Sequence, residues 1–422
     1  MSAKSIWRWP RIGSATVIVF GALVTLIVLL SFGQLVGWDP TWRSLGVTPL
    51  QPHFFDMHVP IDYAVCASKG FDPYIPHSCN PANFNIPPIW LGLGFLGIEG
   101  SDSTWLSVAI IASAFAVMAA LLKGRSVADG ALAMAAFLSP SVMMGVERGN
   151  PDLLILALVG AAALIYDEQR IGRTSGSVAL IGLAIVLKLF PMFCVAVGAR
   201  FNWRTLLFAA IVALFSLAYL AAIFDYIILI RHNVPTTFIL SYGYKAPFLG
   251  LDHLRTEAGL SAFALADTWV PITVAILTLI LAAATALISF YYGHFFCTAA
   301  NSVAGTAFLF GSGIYCGTFL LGTNFIYRLM FLLLCLPQLL DWQKRKSDDT
   351  ALNIERGLLA TILSALWLNG NSTGHSIFLL VPQLIDWLLF FGLAAILISN
   401  FLNSAMPRLG TPLKMIEQGA PH

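Results

Sequence analysis

Three basic residues and one aspartate lie beside long apolar stretches of this chain. Arg148 sits in GVERGNPDLLILAL, Lys188 in AIVLKLFPMF and Arg328 in NFIYRLMFLLLC. Asp56 follows two phenylalanines in QPHFFDMHV, not far beyond the first apolar run. A carboxylate can take a proton from an attacking hydroxyl, and cations can stabilise the charge that develops on a departing phosphate. Together these residue types indicate group transfer from a phosphate-linked donor.

Each of these residues also has an ordinary structural explanation. Asp56 can be a solvated loop carboxylate, and Arg148 can pair with Glu147 or Asp152. Arg328 can be a long side chain that extends to the membrane interface. From the sequence alone these alternatives stay open.

Further polar residues close to these four are candidates for substrate contacts, and we expect no cofactor. The candidates for substrate binding are His58, Asp62, Asn150 and Tyr327. The histidines and aspartates of residues 53–77 match no metal-ligand spacing, so we predict no metal site. The chain has no Walker loop and no Gly-rich strand-to-helix fingerprint. Its net charge of +2 gives no indication of a nucleic-acid partner.

The composition is that of an integral membrane protein. Hydrophobic residues make up 58% of the chain and charged residues only 10%. A helix that crosses a hydrocarbon core of about 30 Å needs roughly 20 apolar residues. We predict one all-α membrane domain over residues 1–422 with about ten spans. These are expected near residues 14–36, 104–122, 127–143, 152–166, 204–226, 269–290, 302–321, 326–341, 354–369 and 375–400.

Two further apolar segments are not ordinary spans. Residues 86–98 are too short to cross and begin near two prolines, which predicts a helix at the membrane interface. Residues 176–199 contain Lys188 and Pro191 in the middle. This segment can be one span with a buried lysine, or a re-entrant hairpin whose tip is buried in protein or faces a wet cavity.

The distribution of basic residues favours the hairpin. With the hairpin and both termini inside, the inner loops hold 15 of the 23 Lys and Arg residues, whereas a single span leaves only 11 inside. Cytoplasmic loops carry an excess of Lys and Arg, so the hairpin topology is preferred. The 15 are Lys4, Arg8, Arg11, Lys123, Arg125, Arg170, Arg173, Arg200, Arg204, Lys344, Arg345, Lys346, Arg356, Arg408 and Lys414.

Two long loops then lie outside, over residues 37–85 and 227–268. Connections of this length are often functional. Cys66 and Cys79 both fall in the first loop and can form a disulfide in an oxidising compartment. The sequence leaves the bonded and the free state open.

At these residues the chain resembles glycosyltransferase family 87, a polyprenol-dependent family of the GT-C superfamily. The matching pieces run in order over roughly residues 14–345. They are FFDMHV, GFDPY followed by NIPPIWLGL, ERGNPDLLILAL, AIVLKLFPMF and NFIYRLMFLLLCLPQLL. The resemblance implies that Asp56 is the essential first-loop aspartate, and that Lys188 and Arg328 lie near the donor phosphate.

The resemblance also implies the reaction and its partners. It implies inverting transfer of a hexose from a polyprenyl-phosphate carrier to a glycan or glycolipid acceptor, outside the cytoplasm. We therefore expect an enzyme of the plasma (inner) membrane with both termini cytoplasmic. A transporter or lipid flippase is the alternative, although such proteins tend to show paired repeats. A purely structural membrane subunit is a third possibility, against which the polar first loop argues.

Overall fold

Helices make up about four fifths of the structure. The structure, a computed structural model, describes residues 13–75, 79–80, 82–234, 237–259, 270–293, 296, 298, 302–344, 349–370 and 380–405. Its α-helices are α1 (Ser14–Val36), α2 (Trp38–Ser44), α3 (Phe55–Ser68), α4 (Ser103–Leu121), α5 (Val127–Phe137), α6 (Pro140–Glu147), α7 (Asp152–Ile165), α8 (Ile171–Leu187), α9 (Trp203–Ala222), α10 (Phe224–Asn233), α11 (Ala246–Glu257), α12 (Val270–Tyr292), α13 (Val303–Leu320), α14 (Leu336–Gln343), α15 (Asp349–Leu368) and α16 (Leu380–Ala405).

Shorter elements complete the described chain. The 3₁₀ helices are Pro88–Leu96, Gly100–Asp102, Phe190–Arg200 and Ile326–Cys335. Two short strands, β1 (Ser241–Tyr242) and β2 (Asn324–Phe325), pair antiparallel. They join the second long loop to the turn after α13. Because the described elements are helices apart from these two short strands, the predicted class, an all-α membrane protein, is confirmed.

Six described helices are long and apolar enough to cross a membrane. They are Ser14–Val36, Gly100–Leu121, Trp203–Ala222, Val303–Leu320, Asp349–Leu368 and Leu380–Ala405. A seventh span is possible if α5 and α6, which meet at 63°, act as one bent helix. Other predicted spans correspond to shorter or interrupted helices, such as α7 and the pair Ile326–Cys335 and α14. The predicted number of ten spans is not confirmed by these lengths.

The bundle has two ends with charged residues, which we name after Arg125 and Lys188. At the Arg125 end, Arg125 holds Asp341 through two hydrogen bonds of 2.6 and 2.8 Å. The helix α1 begins here, because the backbone N–H of Ser14 donates to the Arg125 carbonyl at 3.2 Å. The Lys188 end lies where α3 begins and α8 ends. The candidate site residues are grouped at this second end.

The chain reverses at Lys188. The backbone of Lys188 is extended and ends α8. The 3₁₀ helix Phe190–Arg200 follows, and we call it the return segment. Glu168, just before α8, pairs with Arg200 at the end of the return segment, with an O–N distance of 3.1 Å. Tyr219, late in α9, donates to the carbonyl of Val186, late in α8, at 2.9 Å. Helices α8 and α9 therefore run in the same direction, and the return segment runs in the opposite direction.

The first long loop contains helices α2 and α3 and a disulfide. Helix α3 packs on the 3₁₀ helix Pro88–Leu96 so closely that a Cβ on Gly94 would lie 2.3 Å from the carbonyl oxygen of Ala64. A glycine is therefore required at this contact. Cys66 and Cys79 form a disulfide that ties the end of α3 to the following segment.

Loss of this disulfide is expected to destabilise the first loop. Closing a loop with a sequence separation of 13 residues typically contributes about 3 kcal/mol. Cys66→Ser should lower the midpoint of thermal unfolding, and a reductant should lower the wild-type midpoint by a similar amount. The variant itself should be insensitive to reductant. Equal sensitivity of both proteins to reductant would contradict this role.

Candidate functional site

Two adjoining cavities open at the Lys188 end. The larger has a volume of about 220 Å³ and the smaller of about 40 Å³. Asn85, Lys188, Phe325 and Tyr327 line both cavities, so the two spaces meet at these four side chains. The larger cavity is also lined by Asp56, Arg148 and Asn150, and the smaller by Arg328. The structure thus brings the predicted base and the three predicted cations around two adjoining cavities.

Asp56 lies in the first turn of α3, where the positive end of the helix dipole favours a carboxylate. Its backbone N–H donates to the carbonyl of Arg148 at 3.0 Å. The side-chain amide of Asn150 donates to the Asp56 carboxylate at 2.5 Å. Gly149, between these two partners, has a φ of 57°, and a Cβ there would lie 2.2 Å from the Ser107 hydroxyl. The tight turn that holds Asp56 therefore depends on a glycine.

Burial raises the pKa of Asp56 above its ordinary value. The positive charge of Arg148, the hydrogen bond from Asn150 and the positive charge of Lys188 act in the opposite direction. Burial wins because the carboxylate loses much of its hydration against the cavity wall. A base with a raised pKa binds the proton of an acceptor hydroxyl more strongly than an ordinary aspartate does.

The raised pKa predicts the acid side of the pH profile. If Asp56 must be ionised, activity falls as the pH drops through this pKa, and so above the value near 3.9 of an ordinary aspartate. Arg148→Gln removes the strongest opposing charge, so the acid limb of kcat/KM should move to higher pH. Donor binding, measured at the same pH values, separates titration of the base from loss of substrate. An acid limb at or below the ordinary value would contradict the prediction.

A buried carboxylate organises the cations. Asp152 is fully buried and lies 3.3 Å from the Lys188 ammonium and 3.2 Å from the Arg328 guanidinium. The carbonyl oxygen of the Asn150 side chain accepts from the Asp152 backbone N–H at 2.8 Å. Asn150 therefore connects Asp56 with the turn that positions Asp152. Besides Asp56 and Asp152, the buried Glu147 carboxylate interacts electrostatically with Arg148 and Asp56, so three cations and three acidic side chains are grouped here.

Arg328 is held by several neighbours besides Asp152. It lies in the first turn of the 3₁₀ helix that follows β2. Its side chain donates to the side-chain carbonyl of Asn324, and its guanidinium lies 5.3 Å from the ring centre of Phe190. Phe325 and Tyr327 stack with ring centres 5.6 Å apart, and both line the cavities. Fixed donors that need no rearrangement are what stabilisation of a developing charge requires.

His58 and Asp62, predicted to bind substrate, do not line either cavity. The Nε2 atom of His58 lies 2.9 Å from the hydroxyl of Ser103, and Asp62 accepts a hydrogen bond of 2.7 Å from Asn80. Both side chains lie instead beside Gly100, where a Cβ would be 3.7 Å from each of them. These contacts attach α3 to the start of α4 and to the disulfide-bonded segment.

The described residues contain no group of three or more His, Cys, Asp or Glu side chains that could hold a metal ion. His77, one of the histidines considered for such a site, lies outside the described residues. His53 instead packs on the Trp38 ring, with centres 4.7 Å apart.

Sequence reasoning considered Asp152 only as a structural partner of Arg148 and assigned no role to Asn85 or Phe325. Asp152 carried a signal, because a carboxylate two residues after Asn150 in GNPD falls at the start of an apolar helix. Asn85 precedes two prolines in FNIPP, a polar residue beside an apolar segment. Phe325 had no signal that separates it from the other aromatic residues of the chain.

Comparison with protein families, with curated proteins and with solved structures finds no match to this chain. The resemblance to glycosyltransferase family 87 stays a prediction from the motifs. Function must therefore be inferred from the geometry of the site.

Proposed function

We propose that this protein is an inverting glycosyltransferase that moves a sugar from a polyprenyl-phosphate carrier to a hydroxyl of a glycan or glycolipid acceptor. The observation that carries the proposal is the pair of adjoining cavities, one lined by Asp56 and the other by Arg328, with Lys188 in the wall of both. A base and a phosphate site at opposite sides of one cavity are what direct displacement at a sugar carbon requires.

The proposed reaction divides the space into three parts. The acceptor occupies the larger cavity, with its hydroxyl against the Asp56 carboxylate. The donor phosphate occupies the smaller cavity against Arg328 and Lys188, and the sugar lies between them beside Asn85 and Tyr327. This order follows because the attacking oxygen, the sugar carbon and the leaving oxygen must lie in line.

Each atom and charge is then accounted for. The acceptor hydroxyl gives its proton to Asp56, and its oxygen forms a bond to the anomeric carbon of the sugar. The bond between that carbon and the phosphate oxygen breaks, and its electron pair remains on the phosphate. Arg328 and Lys188, which line the smaller cavity, stabilise the additional negative charge, and Arg148 adds positive charge from the larger cavity. Asn150 keeps Asp56 oriented through its hydrogen bond of 2.5 Å.

The proposal includes a membrane orientation. The Lys188 end faces the outside of the plasma (inner) membrane, the chain reversal at Lys188 is a re-entrant hairpin, and both termini are cytoplasmic. The position of Ser14 at the Arg125 end supports an inner start of α1. Cysteines introduced singly at exposed Leu96 and at the exposed Ile171 should be labelled from opposite sides of the membrane. Labelling of both from one side would contradict the orientation.

A direct assay tests the proposed function. Purified protein is incubated with a panel of polyprenyl-phosphate sugars, with and without a glycolipid acceptor, and free polyprenyl phosphate is measured. We expect release that depends on the acceptor. If donors bind but none releases polyprenyl phosphate under any condition, the protein is a binding or transport protein and the transferase proposal is wrong.

A further inference from the structure

A long apolar groove lies between the parallel helices α8 and α9, away from the candidate site. It consists of two cavities of about 260 and 380 Å³, which share Val178 and Ile211. The lining residues on α8 extend from Ile171 to Val186. Fifteen residue steps of 1.5 Å give a length of about 22 Å, and one leaflet of hydrocarbon is about 15 Å deep. The groove therefore extends across at least one leaflet. We call it the α8–α9 groove.

The groove has exposed apolar walls along its length, and Gly182 and Phe215 approach each other in its middle. Leu183, Ile211 and Phe215 each expose more than two fifths of their surface on its walls. Gly182 forms part of the floor, and a Cβ there would lie 3.6 Å from the Phe215 ring. A larger side chain at this glycine would occupy the space of the groove. An apolar groove about 22 Å long, with cavities of about 260 and 380 Å³, suits one hydrocarbon chain.

The groove is closed toward the candidate site. At the Lys188 end, the Tyr219 hydroxyl donates to the carbonyl of Val186 at 2.9 Å. The indole N–H of Trp90 donates to the carbonyl of Leu187 at 2.9 Å. These two contacts lie between the groove and the cavities at Lys188. A lipid in the groove must therefore have its headgroup at the Arg125 end.

The mouth at the Arg125 end is positively charged. Arg170 and Arg173 share the single carboxylate of Asp167, at 3.6 and 3.4 Å. Arg204 lines the mouth and donates to two uncharged oxygens, the Glu168 carbonyl at 3.1 Å and the Gln169 amide at 2.6 Å. This leaves a positive excess at the mouth, because the Glu168 carboxylate is held by Arg200 in the interior. Basic residues at a membrane surface attract anionic lipids.

Trp203 adds a second sign of a membrane interface at the mouth. Its side chain is 69% exposed, and the Arg204 guanidinium lies 5.3 Å from its ring centre. Exposed tryptophan is typical of the level of lipid headgroups. The hydroxyl of Ser175 lines the same opening and can donate to a phosphate, whereas the Thr174 hydroxyl donates to the Asp167 carbonyl at 2.6 Å.

We propose that the α8–α9 groove binds one anionic phospholipid, with an acyl chain between α8 and α9 and its phosphate at Arg204. The bound lipid fills the side of the hairpin that the return segment leaves uncovered, and so supports α8, whose end carries Lys188. This site is independent of the proposed transferase reaction and of the donor.

Native mass spectrometry of the purified, delipidated protein tests the proposal. The probes are phosphatidylglycerol, phosphatidylcholine and a polyprenyl phosphate. Wild type should bind one phosphatidylglycerol more tightly than phosphatidylcholine. Gly182→Leu should weaken phosphatidylglycerol binding at least roughly ten-fold, since displacing two methylenes is enough for that loss. Gly172→Leu, on the same helix but in open space, is the matched control and should bind normally.

The headgroup position is tested with a second pair of variants. In Arg204→Gln, the ratio of the affinities for phosphatidylglycerol and phosphatidylcholine should fall about five-fold. This ratio should fall less in Arg170→Gln, because Arg170 is well exposed at the same end. Unchanged binding to Gly182→Leu would overturn the site. Weakened polyprenyl phosphate binding to Gly182→Leu would also overturn it, because the groove would then hold the donor chain.

Discussion

Asp56→Asn is expected to reduce sugar transfer by roughly 10²–10⁴-fold, the usual contribution of a general base. The amide keeps the size of the side chain and can still contact Asn150, but it cannot take the acceptor proton. Donor affinity should change little, because the phosphate is held by Lys188 and Arg328. The measurements are kcat for transfer and Kd for a polyprenyl-phosphate sugar.

The matched control for this variant is Asp62→Asn. Asp62 lies on the same helix, six residues further on, but bonds to Asn80 outside the cavities. This control should therefore retain nearly full transfer. Normal transfer by well-folded Asp56→Asn protein would remove Asp56 from the mechanism. An equal loss in both variants would indicate that α3 is perturbed as a whole.

Lys188→Met is expected to weaken donor binding roughly ten- to a hundred-fold. A charge-assisted hydrogen bond contributes about 1.5–3 kcal/mol, which corresponds to this range in Kd. Methionine keeps the apolar stem of lysine, so packing at the chain reversal is preserved. The contact of 3.2 Å between Asp152 and Arg328 also remains. The loss should therefore appear in donor affinity, measured directly, before it appears in stability.

Lys69→Met is the control for a general loss of positive charge. Lys69 is exposed just beyond α3, at the same end of the bundle. The Lys69→Met protein should bind the donor like the wild type. If Lys188→Met protein binds and transfers normally, Lys188 serves only as the counter-ion of Asp152. The phosphate site would then have to be sought at Arg148 and Arg328 alone.

Part of the site could be predicted because charged residues are rare in and beside apolar segments. A lysine three residues before a proline in an apolar run indicates a break in the helix, and the structure has the chain reversal at Lys188. Placing Asp56, Arg148 and Arg328 on one side required only the order of the apolar runs and the distribution of basic residues. These inferences use charge and length, which a single sequence shows directly.

The rotation of α3 could not be predicted. Buried residues lie around much of its circumference, including Val59, Ile61 and Tyr63. Because the helix has no single apolar stripe, the sequence does not show which polar residues share a face with Asp56. His58 and Asp62 were therefore expected near the substrate, whereas they hold α3 to its neighbours.

The sequence also did not show where an apolar segment is one continuous helix and where it is interrupted. An apolar run predicts a segment in the membrane or the core, but it does not distinguish lipid-facing helix from buried 3₁₀ helix. Residues 326–341 were expected as one span and instead form Ile326–Cys335 followed by α14. Pro337 falls in the first turn of α14, where its missing N–H costs nothing. The loop residue Asn85 follows no periodic pattern and could only be found from the cavities.

The anomeric configuration of the product tests the central claim most directly. Among the described residues that line the two cavities, Asp56 is the only carboxylate, while Asp152 is held behind them by Lys188 and Arg328. Retention of configuration needs a nucleophilic carboxylate in addition to an acid–base residue, whereas inversion needs one base. NMR of the isolated product should therefore show the configuration opposite to that of the donor. A product with the configuration of the donor would contradict direct displacement assisted by Asp56.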